Sequence, residues 1–372
     1  MPQGDYKVLV INPGSTSTKF ALYVNESAEL TRNIRHLDQE LASFQGRPIL
    51  DQLEFRSSLI EHEISEAGFS LAEIHAVAGR GGLLHPLASG IYGVNDAMLE
   101  ELKEARRGEH ASNLGAYLAH RIARQIGVEA YVVDPVSVDE WPDRARLSGM
   151  ALLERRSLAH ALNIKAVARR YASEHGASYE QLRLIVVHLG SGVSVTAHEN
   201  GRMIEALDAS EESPFSAERA GGVPARQLVR LCFSGKYTFK QMDDMLCRQG
   251  GIFSYLGTTD LLEVERRIAA GDAKASLVFE AMVYQNVKEI GAMAAVLRGR
   301  VDAILLTGGM ARSKKLVGDI EHDVSWIAPV VVYPGEDELQ ALAEGVLRVL
   351  RCEELPREFH PEQIAMATEK YG

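Results

Sequence analysis

The sequence predicts an α/β protein of two duplicated domains, and three observations carry that reading. Short β-branched runs alternate with long helical periods, as expected of strands layered with helices. A strand, a Gly/Ser-rich loop and a returning strand occur twice, about half a chain apart. At 372 residues the chain is longer than one ordinary domain.

The elements follow in order. Lys7 to Ile11 is a buried-strand candidate, broken by Asn12-Pro-Gly-Ser-Thr-Ser-Thr18, and Lys19 to Val24 is a second strand, giving a β-hairpin with a polar tip. Ile49, Leu53, Ile60, Ile64 and Ala67 share one helical face, with Gly68 placed to cap it. His75 to Gly79 is the next strand. Leu114, Leu118, Ile122 and Ile126 mark a helix ending at Gly127, and Glu129 to Asp134 the strand after it. Near residue 184 the opening pattern returns: strand Leu184 to Val187, tip His188-Leu-Gly-Ser-Gly192, strand Val193 to Ala197. Val283, Val287, Ile290, Ala294 and Leu297 line a helix, with Met282 and Met293 belonging to its core stripe. Val301 to Leu306 then forms a strand that runs into Thr307-Gly-Gly-Met310. Leu339, Leu342, Ala343, Val346 and Leu350 define a final amphipathic helix. The charge run Glu100 to Arg107 reads as a solvated helix face.

Composition narrows the function. An apolar fraction of 46% and a charged fraction of 24% fit a globular protein with a sizeable core. A net charge of −11 without a long Lys/Arg run argues against nucleic acid as a partner, so an anionic substrate must meet a local cationic pocket. Three cysteines with no CxxC pair fit a reducing compartment and argue against structural zinc. No signal-peptide pattern and no run of about eighteen apolar residues is present, so the expectation is a cytoplasmic protein with no membrane partner.

Three loops carry the chemistry, each beginning where a buried strand stops. Small residues let backbone N–H groups approach phosphate oxygens, and hydroxyls add donors. The first, Asn12 to Lys19, also brings a lysine to offset phosphate charge and an asparagine able to reach a hydrated Mg²⁺. Neither GxxxxGK[ST] nor a GxGxxG after the first strand occurs, so a nucleotide site must use another fold. A hairpin tip in each half plus Thr307-Gly-Gly-Met-Ala-Arg-Ser313 is what a nucleotide held between two like domains requires. Taken singly, these residues stay ambiguous. The first loop is also a plain turn, Arg80 also a salt-bridged arginine, Asp134 also a strand cap, and His160 also a packed histidine.

The three-loop pattern resembles the superfamily of acetate kinase, sugar kinases, the Hsp70 ATPase domain and actin. The resemblance is closest to the acetokinase family, the acetate and butyrate kinases, and runs over nearly the whole chain. The segments that carry it are Val8-Leu-Val-Ile-Asn-Pro-Gly-Ser-Thr-Ser-Thr-Lys19, Ala76-Val-Ala-Gly-Arg-Gly-Gly82, Gly108-Glu-His-Ala-Ser-Asn113, Tyr131-Val-Val-Asp134 and Ser157-Leu-Ala-His-Ala-Leu-Asn163. Val187-His-Leu-Gly-Ser-Gly192, Pro214-Phe-Ser-Ala-Glu-Arg-Ala-Gly-Gly222, Leu306-Thr-Gly-Gly-Met-Ala-Arg-Ser313 and Tyr333-Pro-Gly-Glu-Asp-Glu-Leu339 complete the series.

By resemblance, the fold is two duplicated RNase H-like (actin-like ATPase) domains flanking a nucleotide cleft. The boundaries expected are 1–148 with 339–372 for the first domain and 149–338 for the second. Asn12 matches a Mg²⁺-associated asparagine, with an acidic partner at Asp337 or Glu338. Ser15, Ser17 and Lys19 fall on the phosphate side. Arg80 matches the arginine for the substrate carboxylate or acyl phosphate, with Asn113 also on the substrate side, and Asp134 the essential aspartate. His160 and Arg219 match a transition-state pair. His188, which also has a catalytic role by this match, opens the second phosphate loop with Leu189, Gly190, Ser191 and Gly192. Asp260, Gly308, Gly309 and Arg312 match nucleotide-binding segments.

The expected activity is transfer of a phosphoryl group from ATP to butyrate or a branched short-chain carboxylate, giving an acyl phosphate and ADP. Ser191, the Pro-Phe-Ser-Ala-Glu-Arg219 context and Thr-Gly-Gly-Met-Ala-Arg312 point to the butyrate kinase branch, with acetate or propionate kinase as the alternative. An Hsp70-like nucleotide-dependent binding module is the rival from another class. Family resemblance also implies a homodimer or larger homo-oligomer, and closure on ligand because the proposed ligands divide between the halves.

Overall fold

The computed structural model describes residues 4–360. Among these the chain forms two compact units: one runs to Val138 and resumes at Asp337, and the other is Asp139–Glu336. No helix among the described residues is long and apolar enough to cross a membrane.

The first unit is built on six strands: β1 (Lys7–Pro13), β2 (Ser17–Val24), β3 (Ser27–Arg35), β4 (Ala76–Arg80), β5 (Ile91–Gly93) and β6 (Glu129–Val133). They lie in the order β3-β2-β1-β4-β6-β5. The first three form an antiparallel meander, while β4 runs parallel to β1 and to β6. Val8 to Ile11 are all fully buried, which explains an apolar run without alternation: both faces of this strand are covered. Leu9, Ile11, Phe20, Leu22 and Val77 pack with Ile60 and Ile64 of helix Leu53–Glu66 and with Leu114, Leu118 and Ile122 of helix Asn113–Ile126. Both helical stripes read from the sequence are therefore core faces. Helix Glu338–Leu350 packs on β1, β4 and β6, so a segment that follows the entire second unit completes the first.

One close approach fixes the end of β4. A Cβ on Gly79 would meet the Gly115 carbonyl oxygen at 2.0 Å, and one on Gly115 would meet the Arg80 carbonyl oxygen at 2.0 Å. Strand end and helix start thus touch backbone to backbone, possible only without side chains.

The second unit repeats the plan. Strands β7 (Leu184–Leu189), β8 (Val193–Glu199) and β9 (Arg202–Ala206) form a meander, and β10 (Ala303–Gly308) and β11 (Val330–Pro334) extend it in parallel, in the order β11-β10-β7-β8-β9. That is the order β6-β4-β1-β2-β3 of the first unit, so the duplication expected from the two loops holds at the level of the sheets. Ile185, Val187, Leu189, Val193 and Val195 pack with Phe279, Met282, Ile290 and Met293 of helix Ala273–Val296. Both methionines sit in the core, as expected.

Beside this apolar core lies a polar one. Fully buried Lys165 donates to Glu140 Oε2 (2.6 Å) and the Gly201 carbonyl (3.0 Å), and its ammonium sits 5.3 Å from the Tyr179 ring centroid. Thr196 donates to the Val186 carbonyl, so its oxygen is an acceptor for His198 Nε2–H at 2.8 Å. His198 Nδ1 is then the acceptor for the Tyr179 hydroxyl at 2.6 Å. Burial holds His198 well below its ordinary pKa, so this chain of bonds is built on a neutral imidazole.

Two sequence readings need correction. The third strand of each meander was not foreseen: in β3 only Leu30 is buried, so this sheet-edge strand carries no alternating pattern. The charge run at Glu100 is not wholly solvated. Helix Asp96–Glu104 ends in left-handed Ala105, and Glu101 is buried, accepting from the His85 backbone N–H at 2.5 Å.

The Gly79–Gly115 contact makes a direct prediction. Gly115→Ala must push helix and strand apart, and should cost about 1–3 kcal/mol or more, read as a lowered urea midpoint. An unchanged midpoint would show that the contact is not needed.

Candidate active site

In the first unit three expected residues meet. Asn12 stands one residue before the end of β1 and Arg80 ends β4, parallel neighbours in the sheet, while Glu338 opens the last helix. Asn12 Nδ2 donates to Glu338 Oε2 at 2.5 Å, and Arg80 Nη2 lies 3.2 Å from Glu338 Oε1. Arg80 Nη1 also reaches Asn12 Oδ1, at 3.4 Å. Glu338 is 7% exposed and Asn12 8%, so this carboxylate is largely removed from water and meets two donors in its place. Of the two acids weighed for a metal, Glu338 is the one brought to Asn12, whereas Asp337 is exposed at the helix start.

Asp134 follows β6 with φ +37°, a left-handed conformation that a non-glycine residue adopts at a cost. Its Oδ1 accepts from Ser89 Oγ (2.7 Å) and from the Gly90 N–H (2.8 Å). Asn113 is fully buried; its Oδ1 accepts from Leu83 N–H (3.0 Å) and its Nδ2 donates to the Gly108 carbonyl (3.3 Å). Its amide therefore braces the loop after Arg80. Ser15 and Lys19 are exposed and Ser17 half-buried on the first hairpin tip.

In the second unit the His188–Gly192 tip collects the other group. His188 is fully buried; its ring stacks on that of His160 at 3.8 Å and 7°. His160 shares a hydrogen bond with Ser194 Oγ (3.0 Å), and His188 Nδ1 donates to Asn163 Oδ1 (2.8 Å). His188 Nε2 lies 3.1 Å from Glu336 Oε1, within ion-pair range but off the line of a hydrogen bond. The Ser191 carbonyl accepts from Ser216 Oγ, and Gly190 N–H donates to the Gly192 carbonyl at 3.1 Å.

A Cβ on Gly192 would meet Arg219 Nη1 at 2.6 Å, so the guanidinium lies directly against the loop. Arg219 donates only to neutral oxygens, the Ala209 carbonyl at 3.2 Å and Ser210 Oγ at 3.5 Å, and among the described residues no carboxylate pairs with it. Gly308, at φ +93°, brings the end of β10 against Leu189: a Cβ there would meet the Leu189 carbonyl at 2.3 Å. Gly309 and Arg312 follow in a short 3₁₀ turn, with the Arg312 guanidinium over Gly335. Asp260 caps helix Leu261–Ala269 through the Leu262 N–H (2.9 Å).

Sequence reasoning missed Glu336, Asn163, Ser89 and Arg56. Asn163 and Glu336 lie within segments that carry the family resemblance but drew no role there, and Ser89 has no pattern of its own. Arg56 did leave a signal: it stands three residues after Leu53 and four before Ile60, a charge on an otherwise apolar helix face.

Residues 150–322 match the model of the Acetokinase family. Acetate kinase from Porphyromonas gingivalis superposes with a TM-score of 0.77 at 18% identity, covering 92% of this chain and 99% of that one. Acetate kinase from Entamoeba histolytica gives 0.74 at 15% identity, over 93% and 100% of the two chains. A propionate kinase from Francisella tularensis subsp. tularensis gives 0.72 at 19%, over 91% and 98%. The fold is therefore acetate kinase-like, two duplicated α/β units, and more than nine-tenths of the chain takes part in it.

Burial pushes the Asp208 carboxyl, which lies in the segment before Arg219, up to about 6, with Glu211 and Glu212 adding and Arg219 opposing. The folded protein thus holds this proton more tightly than the unfolded chain. Stability should fall as pH rises from about 4 to about 6 through this group, by about 2–3 kcal/mol, then level off. Asp208→Asn removes that component. Its urea midpoint relative to wild type should rise between pH 4.5 and 7, and an equal gap at both values would contradict it.

Proposed function

We propose that the chain is an ATP-dependent carboxylate kinase of the butyrate kinase type, forming an acyl phosphate and ADP from a short-chain carboxylate. The observation that carries this reading is the Arg219 guanidinium held against Gly192 with only neutral acceptors, a cation awaiting an anion. The family match over residues 150–322 supports it, since that span includes His160, His188 and Arg219.

The chemistry follows from charge. A carboxylate is already a nucleophile near pH 7, so no side chain need remove a proton. Its oxygen attacks the γ-phosphorus, the new O–P bond forms, and the bond to the β,γ-bridging oxygen breaks with its electron pair leaving on ADP. The barrier is bringing anions together and stabilising charge on the transferring oxygens. In this proposal Arg80 takes the acceptor carboxylate, oriented by Asn12 and Glu338. Arg219 and the His160–His188 pair face the transferring phosphoryl. Ser15, Ser17, Lys19 and loop 188–192 hold phosphate oxygens, and Gly308, Gly309 and Arg312 the nucleotide.

A single acid beside an asparagine suits Mg²⁺, which takes one or two carboxylates and fills its octahedron with water and phosphate oxygens. Glu338 with Asn12 would hold it, and the ion would neutralise phosphate charge. Each Glu338 oxygen already meets one donor, Asn12 or Arg80, so a metal would take a remaining lone pair or displace one of these contacts. Among the described residues no cluster of three or more His, Cys, Asp or Glu offers a self-sufficient metal cage.

Acetate or propionate as substrate is the second reading, favoured by the names of the structural neighbours. Steady-state rates with acetate, propionate, butyrate and isobutyrate, read as hydroxamate, decide between them. Butyrate or isobutyrate should give the highest kcat/KM; acetate leading by tenfold would transfer the assignment to the second reading. No hydroxamate with any of the four, while ATP still binds, would favour a nucleotide-dependent binding module.

Arg219→Ala should lower kcat about a hundredfold or more, corresponding to about 3 kcal/mol of transition-state stabilisation. Asn12→Ala should raise the Mg²⁺ concentration needed for half-maximal rate, and excess chelator should abolish turnover. Full activity in chelator would remove the metal from the scheme.

A further inference from the structure

Arg56 lies on helix Leu53–Glu66 at 0% exposure, the largest fully buried side chain among the described residues. All its acceptors are neutral. Nε and Nη2 donate to Gln52 Oε1 at 3.0 and 2.8 Å, and Nη2 also to the Ser15 carbonyl at 3.2 Å. Nη1 donates to the Gly14 carbonyl (2.8 Å), the Ser17 carbonyl (3.1 Å) and Thr18 Oγ1 (3.0 Å). The whole donor fork is thus spent on the underside of the first hairpin tip and on Gln52. Among the described residues no carboxylate pairs with it: Asp51 is taken by Arg47 and Glu54 by Arg121. His36, hydrogen-bonded to Thr18 Oγ1 at 2.8 Å, adds no negative charge.

A buried guanidinium without a counter-charge is costly, and burial pushes Arg56 down to about 10, still charged at neutral pH. Its geometry says where the missing charge belongs. The peptide bond is planar and trans, so a carbonyl turned toward Arg56 turns the next N–H the opposite way. The Gly14 and Ser15 carbonyls point inward, and the N–H groups of Ser15 and Thr16, both exposed residues, point outward.

We propose that Arg56 is the positioning residue of the first phosphate loop, turning the Ser15 and Thr16 N–H groups outward and holding beneath them a positive charge whose counter-ion is the bound phosphate chain of the nucleotide. The phosphate never touches Arg56. Its attraction passes through a layer of aligned peptide dipoles, each with its positive end outward. This deepens the kinase reading by assigning the loop's anion affinity to a group outside it.

The test uses the full chain with inorganic tripolyphosphate as probe, beside steady-state kinetics in ATP and carboxylate. Arg56→Met, folded by circular dichroism, should bind tripolyphosphate at least tenfold more weakly by calorimetry. It should raise the KM for ATP similarly and leave the KM for carboxylate within twofold. Arg56→Lys keeps the charge but cannot fork across three carbonyls, so it should recover part of the lost affinity. Should the methionine variant not fold, Arg56→Lys carries the test alone, with at least threefold weaker tripolyphosphate binding expected.

Unchanged tripolyphosphate affinity in a folded variant overturns the proposal. So does an equal rise in both KM values, the mark of a generally loosened protein. If the wild type makes no acyl phosphate yet tripolyphosphate binding still depends on Arg56, the kinase reading fails and the positioning role stands.

Discussion

The first unit depends on one carboxylate. Glu338 reaches Asn12, 326 positions earlier in the chain, and Arg80, and it ties the ends of two adjacent strands to the start of the last helix. Without it the half-buried Arg80 would keep only its 3.4 Å contact to Asn12 Oδ1 and the Asn12 amide N–H would lose its acceptor, a loss of up to about 3–5 kcal/mol for a broken buried pair. Everything nearby is arranged around that point. The Gly79–Gly115 contact sets the height of Arg80, Asn113 braces the loop beyond it, and Asp134 turns at the end of the neighbouring strand.

Each unit supports its glycine-rich tip in its own way. In the first, a cation sits beneath the hairpin and draws three carbonyls inward. In the second, the support is lateral: Ser216 holds the Ser191 carbonyl, Asn163 fixes the His188 ring, and Arg219 lies against Gly192. Two copies of one strand plan have thus kept their sheet order while exchanging the chemistry under the loop. The buried Lys165–Glu140 pair and the Tyr179–His198–Thr196 chain belong to the second unit's scaffold.

Much of this was legible in the sequence because it depends on local pattern. Buried runs gave β1, β7 and β10, helical stripes gave the core helices, and the repeated tips gave the duplication. The edge strands were not legible, since β3 buries one residue and offers no period. The site was legible where glycine, arginine or histidine stood beside a strand end. It was hidden where a residue acts from behind, as Arg56 and Glu336 do, or where register alone had to choose between Asp337 and Glu338. Periodicity says which face is buried, not which buried charge lacks a partner.

The chain leaves the first unit at Val138 and returns at Asp337, so the second unit is an insertion within the first. Synthesis therefore presents the whole second unit to solvent before Glu338 exists. Until then the six-stranded sheet lacks the helix that covers one of its faces, and Arg80 lacks its acid. A nascent chain can complete its second half early, but the half holding Arg80 closes only after the last helix is made. Any product cut short before residue 338 is left with an open sheet and an uncovered arginine, a form open to chaperones and proteases rather than a partly working copy.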